Sequence, residues 1–148
     1  MATNRFRTSA HARYTIFYHI VILPKYRRDI FKHQDIEQAT KSALRELAFF
    51  HEWIIEEMEN DTNHIHIFLS ASPRYSPSEI VKLIKTWTYR EVYRRFPKIK
   101  QYLWGGKMWA NGFYVSTVSD NTTKDEIRKY VREQKSKTEK LVKQQKLF

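Results

Sequence analysis

The alternation of apolar and polar positions changes period along this chain, and each change marks an element. "YTIFYHIVIL" (14–23) is aromatic and β-branched, stops at Pro24, and predicts a strand. Both of its faces are apolar, which places it centrally in a sheet or at a subunit contact. The basic "PKYRRDIF" that follows predicts a loop. Residues 35–50 carry a helical period, with Asp35 as cap and Ile36, Ala39, Ala43, Leu44, Leu47 and Phe50 on one face. "EWIIEEME" (52–59) and "HIHIFLSA" (64–71) predict two strands, and the turn "DTN" (61–63) between them predicts a hairpin.

"SPSE" (76–79) is a helix start. Ser76 is the N-cap, Pro77 fits the first helical position and Glu79 completes a capping box. Ile80, Leu83, Ile84 and Trp87 form the predicted buried stripe, and Pro97 sets the limit of the helix. "YLWGGKMWANG" (102–112) reads as a glycine-containing connection and "FYVSTVS" (113–119) as a strand. A second capping box, Thr123 to Glu126, opens the last helix. Its apolar stripe is short: Ile127, Tyr130 and Val131 share a face with Gln134, and a helix with so small an apolar face projects into solvent or docks on a partner. The order strand, helix, strand, strand, helix, strand, helix predicts an α+β fold in a single domain spanning 1–148. Helices pack mainly on one face of an antiparallel sheet, close to a ferredoxin-like or RNA-recognition-motif-like topology.

Composition narrows the partner. Lys plus Arg is 27 against 16 Asp plus Glu, a net charge of +11, and there are 9 Tyr, 9 Phe and 4 Trp. A basic excess favours a polyanion, and basic groups interleaved with aromatic rings suit single-stranded nucleic acid. The absence of cysteine excludes disulfides and thiolate metal sites and agrees with a reducing cytoplasm. No apolar run approaches the roughly 20 residues of a membrane span, and no secretory signal is legible.

The candidate chemistry lies in "NDTNHIHIFLSAS". Strand alternation puts Ile65, Ile67 and Leu69 on the core face and His64, His66, Phe68 and Ser70 on the other. Adjacent imidazoles at this spacing can share one metal ion. A purely polar sheet face has the same pattern, and both readings stand. Gln134, one helical turn from Tyr130, is a third donor in reach of the same argument, against the plainer reading of Tyr130 as packing and Gln134 as surface. His11, His19, His33 and His51 are scattered and receive no role. Lys82, Lys85 and Arg90 on the second helix are candidate DNA contacts, beside the plainer reading of a solvated face. The tail "KSKTEKLVKQQKLF", including 137–148, is basic; fraying, packing on a partner subunit and DNA contact all fit it.

"HIH", "YHIVILPKYRR", "LWGGKMWANGFYVSTVS" and "YVREQ", in this order, resemble the small single-tyrosine HUH transposases of the insertion sequence 200/605 family, from residue 12 to residue 136. The resemblance implies a metal-dependent endonuclease and strand transferase for single-stranded DNA with hairpin ends. Its metal, Mg²⁺ or Mn²⁺, would be held by His64, His66 and Gln134. Tyr130 would be the nucleophile, forming a 5′-phosphotyrosine. A homodimer is implied, with no nucleotide cofactor and no membrane. Many relatives carry an acidic residue where this chain has Asn63, which puts the orientation of His64 in question. Two other readings share the basic sheet. One is a silent single-strand binder in which Lys25, Arg27 and Arg28 grip phosphates and Phe68 stacks bases. The other is a related HUH enzyme: a relaxase, a replication initiator or a domesticated nuclease. Relaxases and initiators usually carry larger domains, so the chain length favours the minimal transposase.

Overall fold

The computed structural model describes residues 7–103, 106–117 and 129. The predicted last helix, with Tyr130 and Gln134, lies outside the described residues. The described chain runs β1 (Arg7–Ser9), β2 (Ala12–Tyr14), β3 (Phe17–Ile22), α1 (Gln34–His51), β4 (Ile54–Asp61), β5 (His64–Ser70), α2 (Pro77–Arg95) and β6 (Tyr114–Thr117). Short 3₁₀ turns cover 25–27, 30–32 and 97–102. β3 to β6 form one antiparallel sheet in the order β4-β5-β3-β6. This is the ferredoxin-like arrangement read from the element order. β3 is central, as its two apolar faces require.

Alternation along the central strands divides the sheet into two faces. Ile20 and Ile22 of β3 with Ile65, Ile67 and Leu69 of β5 join Ile36, Leu44 and Leu47 of α1 and Ile80, Ile84 and Val92 of α2 in one core. Each such side chain contributes about 1.5–3 kcal/mol by leaving water. The capping box at α2 forms as predicted: Ser76 Oγ accepts from the Glu79 amide at 3.1 Å, and the Ser76 amide donates to Glu79 Oε1 at 3.3 Å.

Several expectations change. Residues 14–23 are not one strand: Tyr14 closes a small N-terminal hairpin, β1 with β2, and β3 begins at Phe17. Arg7 ties this hairpin to the sheet, donating to the carbonyl of Ser70 at 3.1 Å and to the carbonyl of Glu52. Asp35 does not cap α1. The helix starts one residue earlier behind an extended His33, and Asp35 sits in the first turn, where a carboxylate favours the helix dipole. Phe50 is 80% exposed instead of buried. The chain reverses through Glu52 in the left-handed region, and Trp53 enters the core beside Leu47 and Ala48. β4 therefore starts at Ile54, and it carries a bulge between Ile55 and Glu57. On α2, Leu83 and Trp87 are half-buried while Val81, Thr88 and Val92 are buried.

Candidate active site

The second face of the sheet, on the side opposite α1 and α2, is buried as well. His64, His66 and Phe68 on β5 and Phe17, His19 and Val21 on β3 are all buried. A tight two-residue turn, Thr62-Asn63, reverses β4 into β5, and Asp61 Oδ1 accepts from the Thr62 amide at 2.8 Å. That turn delivers His64 and His66 onto the second face at the mouth of the hairpin.

The two imidazoles have ring centroids 5.1 Å apart and planes inclined at 70°. An imidazole bound through nitrogen at about 2.1 Å puts its centroid about 3 Å from the metal, so two rings around one ion at a tetrahedral or right angle stand about 5 Å apart. The pair therefore fits a shared cation. His64 Nδ1 donates to Asn63 Oδ1 at 2.9 Å. A neutral carboxamide oxygen thus orients His64 where an acidic residue would, and Nε2 is the nitrogen that could take a metal ion.

His66 is oriented by a residue to which the sequence assigns no role. His66 Nδ1 lies 2.8 Å from His19 Nε2, and the two rings stack at 5.1 Å and 9°. Burial pushes the His19 pKa down to about 4, so His19 is neutral at physiological pH. One ring must donate to the other. If Nδ1–H of His66 is the donor, Nε2 of His66 carries the lone pair that ligation needs. Tyr114 of β6 packs edge-on against His19 at 6.0 Å. The register adds Glu57, Glu59 and Asp61 of β4 directly opposite Phe68, His66 and His64, on the same face. This ladder of carboxylates at alternate positions gives the site a negative border that suits a cation. His19 is legible only as a polar residue at the middle of an otherwise apolar strand, and the ladder as a period of two in "EMEND".

Among the described residues no group of three or more His, Asp and Glu is placed to hold a metal ion. The third donor expected, Gln134, and the expected nucleophile, Tyr130, lie outside the described residues. Phe68 is fully buried and stacks on Phe17 at 5.9 Å, so it offers no face to a base. That removes the stacking residue of the silent-binder reading.

The candidate DNA contacts separate into three kinds. Lys25, Arg27 and Arg28 lie on the turn after β3, where Tyr26 and Arg27 take positive φ and Tyr26 is exposed. Lys82 and Arg90 are exposed on α2. Lys85 is half-buried and is a strap, donating to the carbonyls of Ala110 at 2.8 Å and Gly112 at 2.7 Å. Burial lowers its pKa from the usual lysine value.

Known proteins share this sequence pattern and this fold. The family described as "Transposase IS200 like" matches residues 12–134. The chain is 32% identical over 124 residues to the ISDra2 transposase TnpA of Deinococcus radiodurans, covering 84% of this chain and 87% of that protein. It is 34% identical over 128 residues to the transposase for insertion sequence element IS200 of Salmonella typhimurium, covering 86% and 82%. A crystal structure of a candidate transposase from Deinococcus radiodurans R1 superposes with a TM-score of 0.69 at 27% identity, covering 86% of this chain and 97% of that one. A REP-associated tyrosine transposase bound to a REP hairpin shares the fold, with a TM-score of 0.54 at 15% identity over 82% and 67% of the two chains. No helix among the described residues is long and apolar enough to cross a membrane.

Proposed function

The chain belongs to the IS200-like transposase family, and from that premise we propose that it cleaves and rejoins single-stranded DNA at the hairpin-bearing ends of an insertion sequence. The observation that supports this reading is the buried pair His64 and His66, with rings 5.1 Å apart and each Nδ1 at hydrogen-bond distance from a neighbour, an arrangement in which both Nε2 atoms could serve one ion. His64, His66 and Gln134 would hold a divalent cation, Mg²⁺ or Mn²⁺. When bound, that cation supplies Lewis-acid polarisation of a phosphate oxygen.

Tyr130 is the nucleophile in this reading. A free phenol ionises near pH 10, so a tyrosine nucleophile needs help to attack at neutral pH. The phenol oxygen forms a bond to phosphorus, the bond from phosphorus to the 3′-oxygen breaks, and the phenol proton leaves while the 3′-oxygen gains one. The products are a 5′-phosphotyrosine and a free 3′-hydroxyl. The covalent bond conserves the energy of the phosphodiester. A 3′-hydroxyl from another strand then displaces the tyrosine, and the DNA is joined without a nucleotide cofactor. His19 and Asn63 act here as positioning residues, since each fixes the tautomer and orientation of a ligand ring. With one such tyrosine per chain, holding two strands at once requires two copies, so the working unit is a homodimer.

The test is a denaturing gel of the full chain with labelled single-stranded DNA carrying the element's hairpin end. A slow band that needs metal and disappears in Tyr130→Phe is the expected result. A band that survives in Tyr130→Phe, or none with a verified end sequence, refutes the reading. Sedimentation of a fully active monomer would refute the dimer.

A further inference from the structure

A second feature of the molecule has the chemistry of a nucleic-acid site and lies outside the histidine face. Between α2 and the connection 106–112 runs an open groove of about 620 Å³. Its walls carry Tyr89, Tyr93, Arg90, Lys100 and Lys107, and no acidic residue among the described residues lines it. At the C-terminal end of the same helix the arginines are matched: Arg94 bonds Glu91, and Arg95 bonds Glu46 and Glu91. Among the described residues Arg90, Lys100 and Lys107 have no such carboxylate. With Lys85, these make four cations and no anion among the described residues of the groove, a local positive field.

The groove is also built rigidly. Lys85 straps the connection to α2 through two carbonyls, and Trp109 Nε1 donates to the buried Thr88 Oγ1 at 2.8 Å. Gly106 takes φ of +71° at the rim, and a Cβ there would stand 3.6 Å from the Tyr89 hydroxyl. Tyr89 and Tyr93 pack edge to face at 6.1 Å and 76°, and the Lys100 ammonium lies 5.3 Å from the Tyr93 ring. Aromatic rings beside cations on one wall suit a strand with unpaired bases; a duplex buries its base faces and offers phosphates and base edges.

The wall is continuous with the histidine site. The amide of Ala110 donates to Leu23 at 2.8 Å and that of Lys25 to Met108 at 2.8 Å. Leu23 follows Ile22, which pairs with Ile65 beside His64. The groove and the histidines therefore share one end of the sheet.

We propose that this groove binds an unpaired DNA segment, its phosphates on Arg90, Lys100 and Lys107 and its bases on Tyr89 and Tyr93. The segment would be the single strand flanking the hairpin of the proposed substrate, so the assignment rests on the transposase reading for its biological context.

The test uses fluorescence anisotropy of the full chain in chelator, with a labelled 12-residue oligothymidylate and a blunt DNA hairpin without single-stranded flanks. The exposed pair Lys100→Ala/Lys107→Ala should weaken oligothymidylate binding about tenfold and flatten its salt slope by about 1.4, at roughly 0.7 per phosphate contact. Tyr93→Leu, which keeps apolar packing, should weaken it about tenfold with the slope unchanged. The neighbouring exposed Lys98→Ala should leave it unchanged. Wild-type affinity in the lysine pair, an equal loss in Lys98→Ala, or an equal loss for the blunt hairpin would overturn the assignment. Adduct formation by the wild-type chain is scored separately: groove-dependent binding without any adduct would retire the transposase reading and keep the groove.

Discussion

The two faces of strand β5 invite comparison, because they are equally dry and chemically opposite. Ile65, Ile67 and Leu69 point into the helix-covered core, and His64, His66 and Phe68 point the other way; every one of them is buried. On the first face, burial stabilises the fold through apolar area alone. On the second face, two imidazoles have been taken out of water, where a polar group costs free energy unless it is bonded. Each is held by a specific neighbour, Asn63 or His19. Burial on the first face can be exchanged for other apolar shapes. On the second face, burial fixes ring orientation to within a hydrogen bond, the condition for presenting two ligands to one ion.

This contrast can be broken directly. His66→Ala should abolish metal-dependent adduct formation altogether on the denaturing gel. Ile67→Ala should cost about 2–5 kcal/mol in urea unfolding and leave the adduct yield per folded molecule intact. If Ile67→Ala silenced the chemistry in folded protein, the two faces would not be separable. A finer test is His19→Leu, which keeps the packing volume and removes the hydrogen-bond partner of His66 Nδ1. Mn²⁺ affinity by calorimetry should fall about 10–100-fold, the usual consequence of losing a residue that orients a ligand. An unchanged affinity would return His19 to the role of filler.

Metal choice is a smaller effect. Two imidazoles and an amide are softer than the oxygen shell Mg²⁺ prefers, so half-maximal adduct formation should need about tenfold less Mn²⁺ than Mg²⁺. The reverse order in a titration would reject the proposed donor set. Smallest is Asn63→Asp. A carboxylate accepting from His64 Nδ1 raises the basicity of Nε2, and metal affinity should rise severalfold; a drop would mean that the neutral amide is the better partner in this site.

Much of this architecture is local and therefore legible in the chain. The Ser76–Glu79 box, the β4–β5 hairpin and the alternation of "HIHIFL" each depend on neighbours within a few residues. The parts that escape depend on partners far away. His19 looks isolated because its meaning lies in the register of β3 against β5, with His66 47 residues distant. Phe50 keeps the helical period of α1, yet the left-handed turn at Glu52 brings Trp53 into the core while Phe50 stays in solvent. The N-terminal hairpin is two three-residue strands, too short for a period to declare itself. Lys85 reads as one more surface cation, and only the path of 106–112 turns it into a strap.

The central claim is that the second face of the sheet is a metal centre, and calorimetric titration of the full chain with Mn²⁺ tests it most directly. The account predicts one site per chain, lost in both His64→Ala and His66→Ala and kept in Tyr130→Phe. Equal Mn²⁺ binding in the wild type and in the two histidine variants would contradict it, and would leave the buried pair as packing.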